Sequence, residues 1–203
     1  MPAQQTIYVM ESVNLICGDS VTNNAASGTT AAPGISTHLV LQELKLPGWE
    51  EAYVDHTPGG AQVGIEIPMH FNKLEATFNL AGWDPAIMAF MGQEEDKFHR
   101  FTAYGLIRDR RTSEALQALA VIEGRIGRVN PTAFSKGNLM SHEYSIKSIV
   151  SYYLAMQTSA EDPEPQTIFD WDFFTSSFQS GQTQLSDELG RLLAIPVNVN
   201  PAA

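Results

Sequence analysis

The chain is predicted to be mainly β with one helix, and three observations carry that prediction. Residues 138–157 alternate almost without a break: Met140, His142, Tyr144, Ile146, Ser148, Val150, Tyr152, Leu154 and Met156 fall on one side, and Ser141, Glu143, Ser145, Lys147, Ser151, Ala155 and Gln157 on the other. Residues 72–80 repeat the pattern, with Leu74, Ala76, Phe78 and Leu80 inward and Lys73, Glu75, Thr77 and Asn79 outward. Only Gly82-Trp83-Asp84-Pro85 announces a helix: Asp84 can cap the free amides, Pro85 suits the first helical position, and Ile87, Met88, Phe90 and Met91 supply an apolar face up to Gly92.

The other elements follow in order. Residues 6–16 read as a first strand, and 18–37 are too small and polar to pack, so they form an exposed insertion. Residues 38–46 return to strand and stop at Pro47-Gly48. Residues 47–64, with Trp49, Tyr53, Pro58, Gly59, Gly60 and Gly64, read as an irregular loop. Its two large aromatics suit a partner surface better than a solvated linker. Strands are expected over 98–108 and 114–128 around the charged turn 109–113. The long strand follows. It would reach roughly 60 Å if unbroken, at about 3.3 Å per residue, so it either bends between two sheets or belongs to a sheet larger than one subunit. Glu161-Asp162-Pro163-Glu164-Pro165 makes a stiff acidic link to a last strand near 167–173, a short helix is expected over 186–193, and the tail from Pro196 is expected to be loose.

At 203 residues the chain fits a single domain, 1–203, with the insertion near 18–37, an interaction loop 47–64 and a C-terminal extension 158–203. No apolar run approaches the roughly 20 residues of a membrane helix, and the N-terminus lacks a signal-peptide pattern. A soluble protein made in a cytoplasm, with no membrane partner, is the expectation. The lone Cys17 excludes an intramolecular disulfide; it reads as a small buried apolar residue or, alternatively, a cross-link between copies.

The net charge of −11 is uneven: residues 1–98 hold 12 acids against 3 Lys+Arg, 99–157 hold 4 against 8, and 158–203 hold 7 against 1. So acidic a total argues against affinity for nucleic acid, which rests on cations neutralising phosphates. Opposite-sign surfaces of neighbouring copies could instead meet and steer association.

Chemistry is scarce. His38, His56, His70, His99 and His142 include no pair at metal-helix spacing, and His142 reads as a hydrogen-bonded core or interface residue. Gly59-Gly60-Ala61-Gln62-Val63-Gly64 lacks the Lys-Ser or Lys-Thr of a phosphate loop. Asp170 and Asp172 share a strand face and read as a solvated or interfacial pair, with a cation site or acid-base role as the weaker alternative. No GxSxG elbow occurs. No enzymatic activity, metal or cofactor is expected.

Landmarks in order nonetheless form a pattern. They are Glu43-Leu44-Lys45-Leu46-Pro47, the glycines 59, 60 and 64, Leu74-Glu75-Ala76-Thr77-Phe78-Asn79-Leu80, Ala81-Gly82-Trp83-Asp84 with Met91-Gly92, and Phe101-Thr102-Ala103-Tyr104-Gly105. Glu123-Gly124-Arg125-Ile126, Gly137-Asn138-Leu139, His142-Glu143-Tyr144-Ser145-Ile146 and Ile168-Phe169-Asp170 complete the set. Over residues 38–195 it resembles the major tail tube protein of contractile-tailed bacteriophages. The insertion 18–37 and the C-terminus depart from the family pattern.

The resemblance implies a β-sandwich or half-barrel with one flanking α-helix, whose strands complete a multi-subunit inner β-barrel. It implies a structural virion protein in the tail, forming homohexameric rings stacked head-to-tail into the hollow tube that conducts phage DNA during ejection. It also implies as partners the chain itself, the tail sheath, tape-measure, baseplate and tail-terminator proteins, and DNA only transiently in the lumen. Assembly would take place in the bacterial host cytoplasm. On this reading Pro47, Trp49, Tyr53, Gly59, Gly60 and Gly64 lie at a subunit interface. Ser141, Glu143, Ser145, Lys147 and Ser151 face the lumen, as a smooth, mildly negative wall. Two alternatives stay open: an inner-tube protein of a type VI secretion or other contractile injection system, and a carbohydrate-binding or hydrolytic β-sandwich.

Overall fold

The long alternating stretch becomes a strand that changes partners half-way. The computed structural model describes residues 7–18, 34–57, 59–60, 63–91, 97–133, 135–137, 140–159, 165–181 and 183–184. In chain order the strands are β1 (Tyr8–Cys17), β2 (Ile35–Ser36), β3 (Leu41–Lys45), β4 (Glu51–His56), β5 (Ile65–Phe71) and β6 (Ala76–Leu80). The helix α1 (Pro85–Met88) precedes β7 (His99–Asp109), β8 (Ala115–Pro131), β9 (His142–Met156), β10 (Gln166–Asp172), β11 (Ser177–Ser180) and β12 (Thr183–Gln184).

The first part of β9 pairs with β6, from His142 against Leu80 to Ile146 against Ala76. Its second part pairs with β10, from Ser151 against Asp172 to Met156 against Gln166. β8 follows it along both parts. One antiparallel sheet, in the order β12-β11-β10-β9-β8-β7-β1-β2, thus branches at β9 into β6 and β3. The strand bends, one of the two possibilities raised by its length, and the fold is an antiparallel β-sandwich or half-barrel.

The bend has a local cause. Ser151 faces Glu123 and Lys147 faces Arg125, so residues 148–150 of β9 stand opposite Gly124 alone. Such a bulge kinks its strand and increases the twist. Ser148 takes it up at φ +51° and is exposed, and Ile149 drops into the core instead. The alternation read through Ser148 was therefore one smooth strand too simple. Gly124 leaves the room, because a Cβ there would lie 2.9 Å from Ile146 Cγ2 and 3.1 Å from the Lys147 carbonyl oxygen.

The core lies between the two branches. From one come Ala76, Phe78, Leu80, Tyr144 and Ile146, and from the other Leu15, Cys17, Phe101, Ala103, Ala120, Ile122, Tyr152 and Phe169. Register explains the set: Cys17, Phe101, Ile122, Tyr152, Trp171 and Phe178 lie directly opposite one another in turn across six strands. Phe78 and Tyr144 stack at 5.0 Å. β6 shows the expected inward set, and Leu74 is buried just before it.

Asp84 caps α1 as expected, accepting from the Ala86 N–H at 2.9 Å and the Ile87 N–H at 3.4 Å. The helix is shorter than predicted. It closes after one turn, where Phe90 N–H and Met91 N–H donate to Ile87 and Met88 carbonyls three residues back. Phe90 there packs against Gly18 and, at 4.7 Å between rings, His99. The expected closure at Gly92 lies outside the described residues, as do most of the insertion, the helix over 186–193 and the tail. The insertion's last residues are structured, however: β2 pairs with the end of β1, and Thr37 is buried with its hydroxyl donating to the Leu15 carbonyl.

Candidate functional site

The segment expected to be an irregular loop is a β-hairpin. β4 and β5 pair only with each other, as a two-stranded sheet separate from the large one. Almost every residue of this arm is exposed. Val54 and Ile67 face each other, as do His56 and Ile65, while Tyr53 opposes Pro68 and Asp55 opposes Glu66. One side of the ribbon thus carries Val54, Ile65 and Ile67, all exposed, with His56, and the other carries Asp55 and Glu66 with Tyr53 and Pro68. A lone two-stranded ribbon is marginal in water, so its root must hold it.

The root is aromatic. Trp49 lies 4.4 Å from Phe169, 5.3 Å from Phe71, 5.4 Å from Phe178 and 5.8 Å from Trp171, ring centre to ring centre. Asn72 closes the base, its N–H donating to the Glu50 carbonyl at 2.8 Å and its side-chain amide to the Glu50 carboxylate at 3.1 Å. The predicted interface set thus divides. Pro47 is buried and Trp49 is engaged within its own subunit, whereas Tyr53 is exposed and Gly59, Gly60 and Gly64 lie at the far end of the arm. The Tyr53 hydroxyl donates to Glu51 at 2.6 Å; that bond and the Glu51 charge hold its pKa above the ordinary tyrosine value. The exposed apolar residues of β5 escaped the sequence reading, although Ile65-Glu66-Ile67-Pro68-Met69-His70-Phe71 alternates plainly.

The polar residues of β9 lie on the outer side of the sheet, away from the core. Glu143 stands in register between Asn79 and Asn130, Ser145 between Thr77 and Arg128, and Lys147 beside Arg125. Lys147 Nζ reaches Glu75 at 3.6 Å, both side chains half-exposed. Past the bulge, Ser151 lies between Glu123 and Asp172. Ser141, Glu143, Lys147 and Ser151 are partly exposed, but Ser145 is 1% exposed. Its hydroxyl is buried with no hydrogen-bond partner among the described residues, so Ser145 presents no polar group on this face.

The face mixes charge closely: Glu43, Glu75, Glu123, Glu143, Asp170 and Asp172 are interleaved with Lys45, Arg100, Arg125, Arg128 and Lys147, a small acidic excess. Asp170 is held above the usual carboxylate range by burial first and the neighbouring Asp172 charge second. Asp172 itself accepts from the Thr175 N–H at 2.8 Å and hydroxyl at 3.0 Å, which fixes the turn after β10. No cluster of three or more metal-ligating side chains occurs among the described residues.

His142 is buried against Trp83, 4.0 Å between rings, and neither ring nitrogen has a hydrogen-bond partner among the described residues, contrary to the hydrogen-bonded histidine expected. Cys17 is fully buried and free, with burial, and then the Asp84 charge, pushing its thiol up to about 12. A thiol so placed is poorly suited to cross-linking copies. No helix among the described residues is long and apolar enough to cross a membrane.

With the geometry established, comparison supplies kinship. Residues 32–161 match the family model described as phage tail tube protein FII. Among solved structures, a chain from the anti-feeding prophage baseplate, determined by cryo-EM with six-fold symmetry, is similar at 13% identity and a TM-score of 0.44, over 77% of this chain and 96% of that one. A chain from the sheath/tube terminator of the extracellular contractile injection system PVC, in its extended state, is similar at 9% identity and a TM-score of 0.44, over 72% and 94%. No curated protein matches.

Proposed function

Since the chain belongs to the phage tail tube protein FII family and so is a structural component of a phage tail, we propose that it forms six-membered rings that stack head-to-tail into the inner tube of a contractile tail and conduct DNA during ejection. The observation that supports this reading is a curved sheet with a polar outer face that carries a solvent-exposed arm, paired only with itself among the described residues. Rings of identical copies need heterologous contacts, two different patches on each copy, and an arm with a separate receiving surface meets that need.

The dimensions agree. If each of six subunits gave four strands to a common barrel, about 24 strands spaced roughly 4.8 Å and tilted about 40° would enclose a backbone diameter on the order of 45 to 50 Å, which passes a DNA duplex. Ser141, Glu143, Lys147 and Ser151 would face the lumen. Their mixed charges cancel beyond a Debye length of about 8 Å, so passing phosphates meet neither strong attraction nor strong repulsion. Tyr53 and the glycines 59, 60 and 64 would lie at the interface with a neighbour, and sheath, tape-measure, baseplate and tail-terminator proteins would contact the assembled tube.

Electron microscopy of the purified chain tests the reading. Hollow tubes are expected from the wild type. Replacing residues 52–70 by Asn-Gly should leave a folded subunit, because the aromatic root and the Glu50–Asn72 closure remain, but no tubes. A wild type that stays a lone particle under all assembly conditions overturns the proposal; normal tubes from the shortened chain overturn the role of the arm.

A further inference from the structure

The root of the arm borders an open cavity of about 560 Å³, which lies between the base of the ribbon and the bulge of β9. Its walls are aromatic: Trp49 and Phe71 come from the base of the arm, Trp171 and Phe173 from the end of β10 and the turn after it. The Phe173 N–H donates to the Val150 carbonyl at 2.8 Å, which pins that wall to β9. Phe71 and Phe173 are nonetheless 46% and 62% exposed, so an apolar surface is held open to solvent. Lys73, Glu75 and Lys147 also line it. Glu75 pairs with Lys147, and Lys73 is exposed with no ion-pair partner among the described residues, so the rim has one cation in excess.

The far end of the arm is the complement of that cavity. Val54, Ile65 and Ile67 present aliphatic side chains on one side of the ribbon, all exposed. Seated against aromatic walls, they and the walls would both lose water, the main favourable term in association. The ribbon as a whole is acidic, since residues 46–72 hold Glu50, Glu51, Asp55 and Glu66 and no lysine or arginine, so the Lys73 side of the rim favours its approach. The arm cannot fill the cavity of its own copy. Trp49 and the Glu50–Asn72 pairing fix its base, and Ile65 stands six residues along β5 from Phe71, about 20 Å at roughly 3.3 Å per residue. A second copy displaced by about one arm length meets no such restriction.

We propose that the aliphatic side of the arm, through Ile65 and Ile67, seats in the aromatic cavity at the root of an adjacent copy's arm, so that arms follow one another tip to root through the assembly. This rests on the tube reading and specifies which surface receives the arm. The patch and the cavity sit at opposite ends of one element, so a one-way contact passes from copy to copy, as a ring or stack requires. Two antiparallel arms that made the same contact reciprocally would stop at a dimer.

Disulfide trapping tests it, under conditions where the wild type assembles. Ile65→Cys with Phe173→Cys puts both thiols in one chain, yet within a copy they lie about an arm length apart, beyond the roughly 7 Å between Cα atoms that a disulfide tolerates. The native Cys17 is buried. Oxidation should give a ladder past the dimer on a non-reducing gel, at least tenfold stronger than from either single variant. Monomer alone overturns the docking, and a ladder that stops at the dimer overturns its one-way form. Phe173→Ser, and separately Ile65→Ser with Ile67→Ser, change exposed side chains and should each lower tube yield at least tenfold by electron microscopy, with the circular dichroism spectrum unchanged. Full tubes from Phe173→Ser overturn the inference, as they would if the arm bound a sheath or baseplate protein. Wild-type tubes without the trapped ladder leave the tube reading standing and the docking refuted. If the wild type itself forms no tubes, it is the tube reading that falls, and the docking with it.

Discussion

Adding one methyl group at Gly124 probes the bend on which the fold turns. A Cβ there would lie 2.9 Å from Ile146 Cγ2, 3.1 Å from the Lys147 carbonyl oxygen and 3.3 Å from Ile149 Cγ1. Two of these are core side chains and the third is backbone, so none yields freely. Overpacking of this kind costs about 1–3 kcal/mol, against which the loss of glycine's freedom in the unfolded chain returns about 0.4–1 kcal/mol. Taking the middle of each range, about 2 less about 0.7 kcal/mol, the net cost of Gly124→Ala is about 1.3 kcal/mol, or roughly 3–5 °C in midpoint for a chain of this size. Gly127→Ala is the internal control: the three atoms nearest its Cβ would all belong to the stem of Lys147, at 3.1–3.2 Å, and a flexible stem can swing away. Urea unfolding followed by circular dichroism, at protein concentrations too low for assembly, gives both values. If Gly124→Ala proves as stable as the wild type, or costs no more than Gly127→Ala, the bulge is not held by the absent side chain and the account of the bend is wrong.

Two further outcomes follow from the same geometry. Asp84→Ala removes the acceptor of two helix amides and should cost about 1 kcal/mol in the same assay; Asp84→Asn, which keeps an acceptor, should recover most of it, and equal losses would show that capping is not the cause. Asp170 has a folded-state pKa raised by burial and by Asp172, so its contribution is fully present below the unfolded carboxylate pKa and is lost as pH rises through the folded value. Asp170→Asn should therefore be stabilising relative to wild type at pH 7 and lose that advantage at pH 3.5, and a difference independent of pH would contradict the assignment.

Legibility in the sequence followed burial. Where one side of a strand packs on the core, the period of two was imprinted, and β6, β7, β8 and both halves of β9 were readable from their apolar residues. Asp84-Pro85 marked the start of α1 for the same local reason, but its length was decided by Phe90 packing on Gly18 and His99, contacts far away in sequence. The arm was missed because β4, Glu-Ala-Tyr-Val-Asp-His, has no core to give it a period, and the glycines and Pro58 around it drew the eye to turns. The bulge was invisible because Ser148 and Val150 continue the alternation while Ile149 does the packing. On the outer face, residue type identified Glu143 and Lys147, but only the folded structure shows that Ser145 is buried.

The edges of the large sheet bear on how subunits stay apart before they assemble. Among the described residues the end strands β2 and β12 are each two residues long, and β3 ends the branch with five; short edges are poor templates for pairing. β2 covers only Ile16 and Cys17, so the earlier residues of β1 present an open edge among the described residues. That edge is interrupted by a register shift between Met10 and Ser12, and Glu11 sits in it, bound through both carboxylate oxygens to Arg108 at 2.7 and 3.0 Å. A bulge and a charged pair are the features that discourage indiscriminate strand addition. The arm carries a similar safeguard in Pro68, which offers no backbone N–H to an incoming strand. On the proposed ring reading, a copy that met another edge-on would gain little until the arm was also engaged, so two simultaneous contacts would be favoured over one.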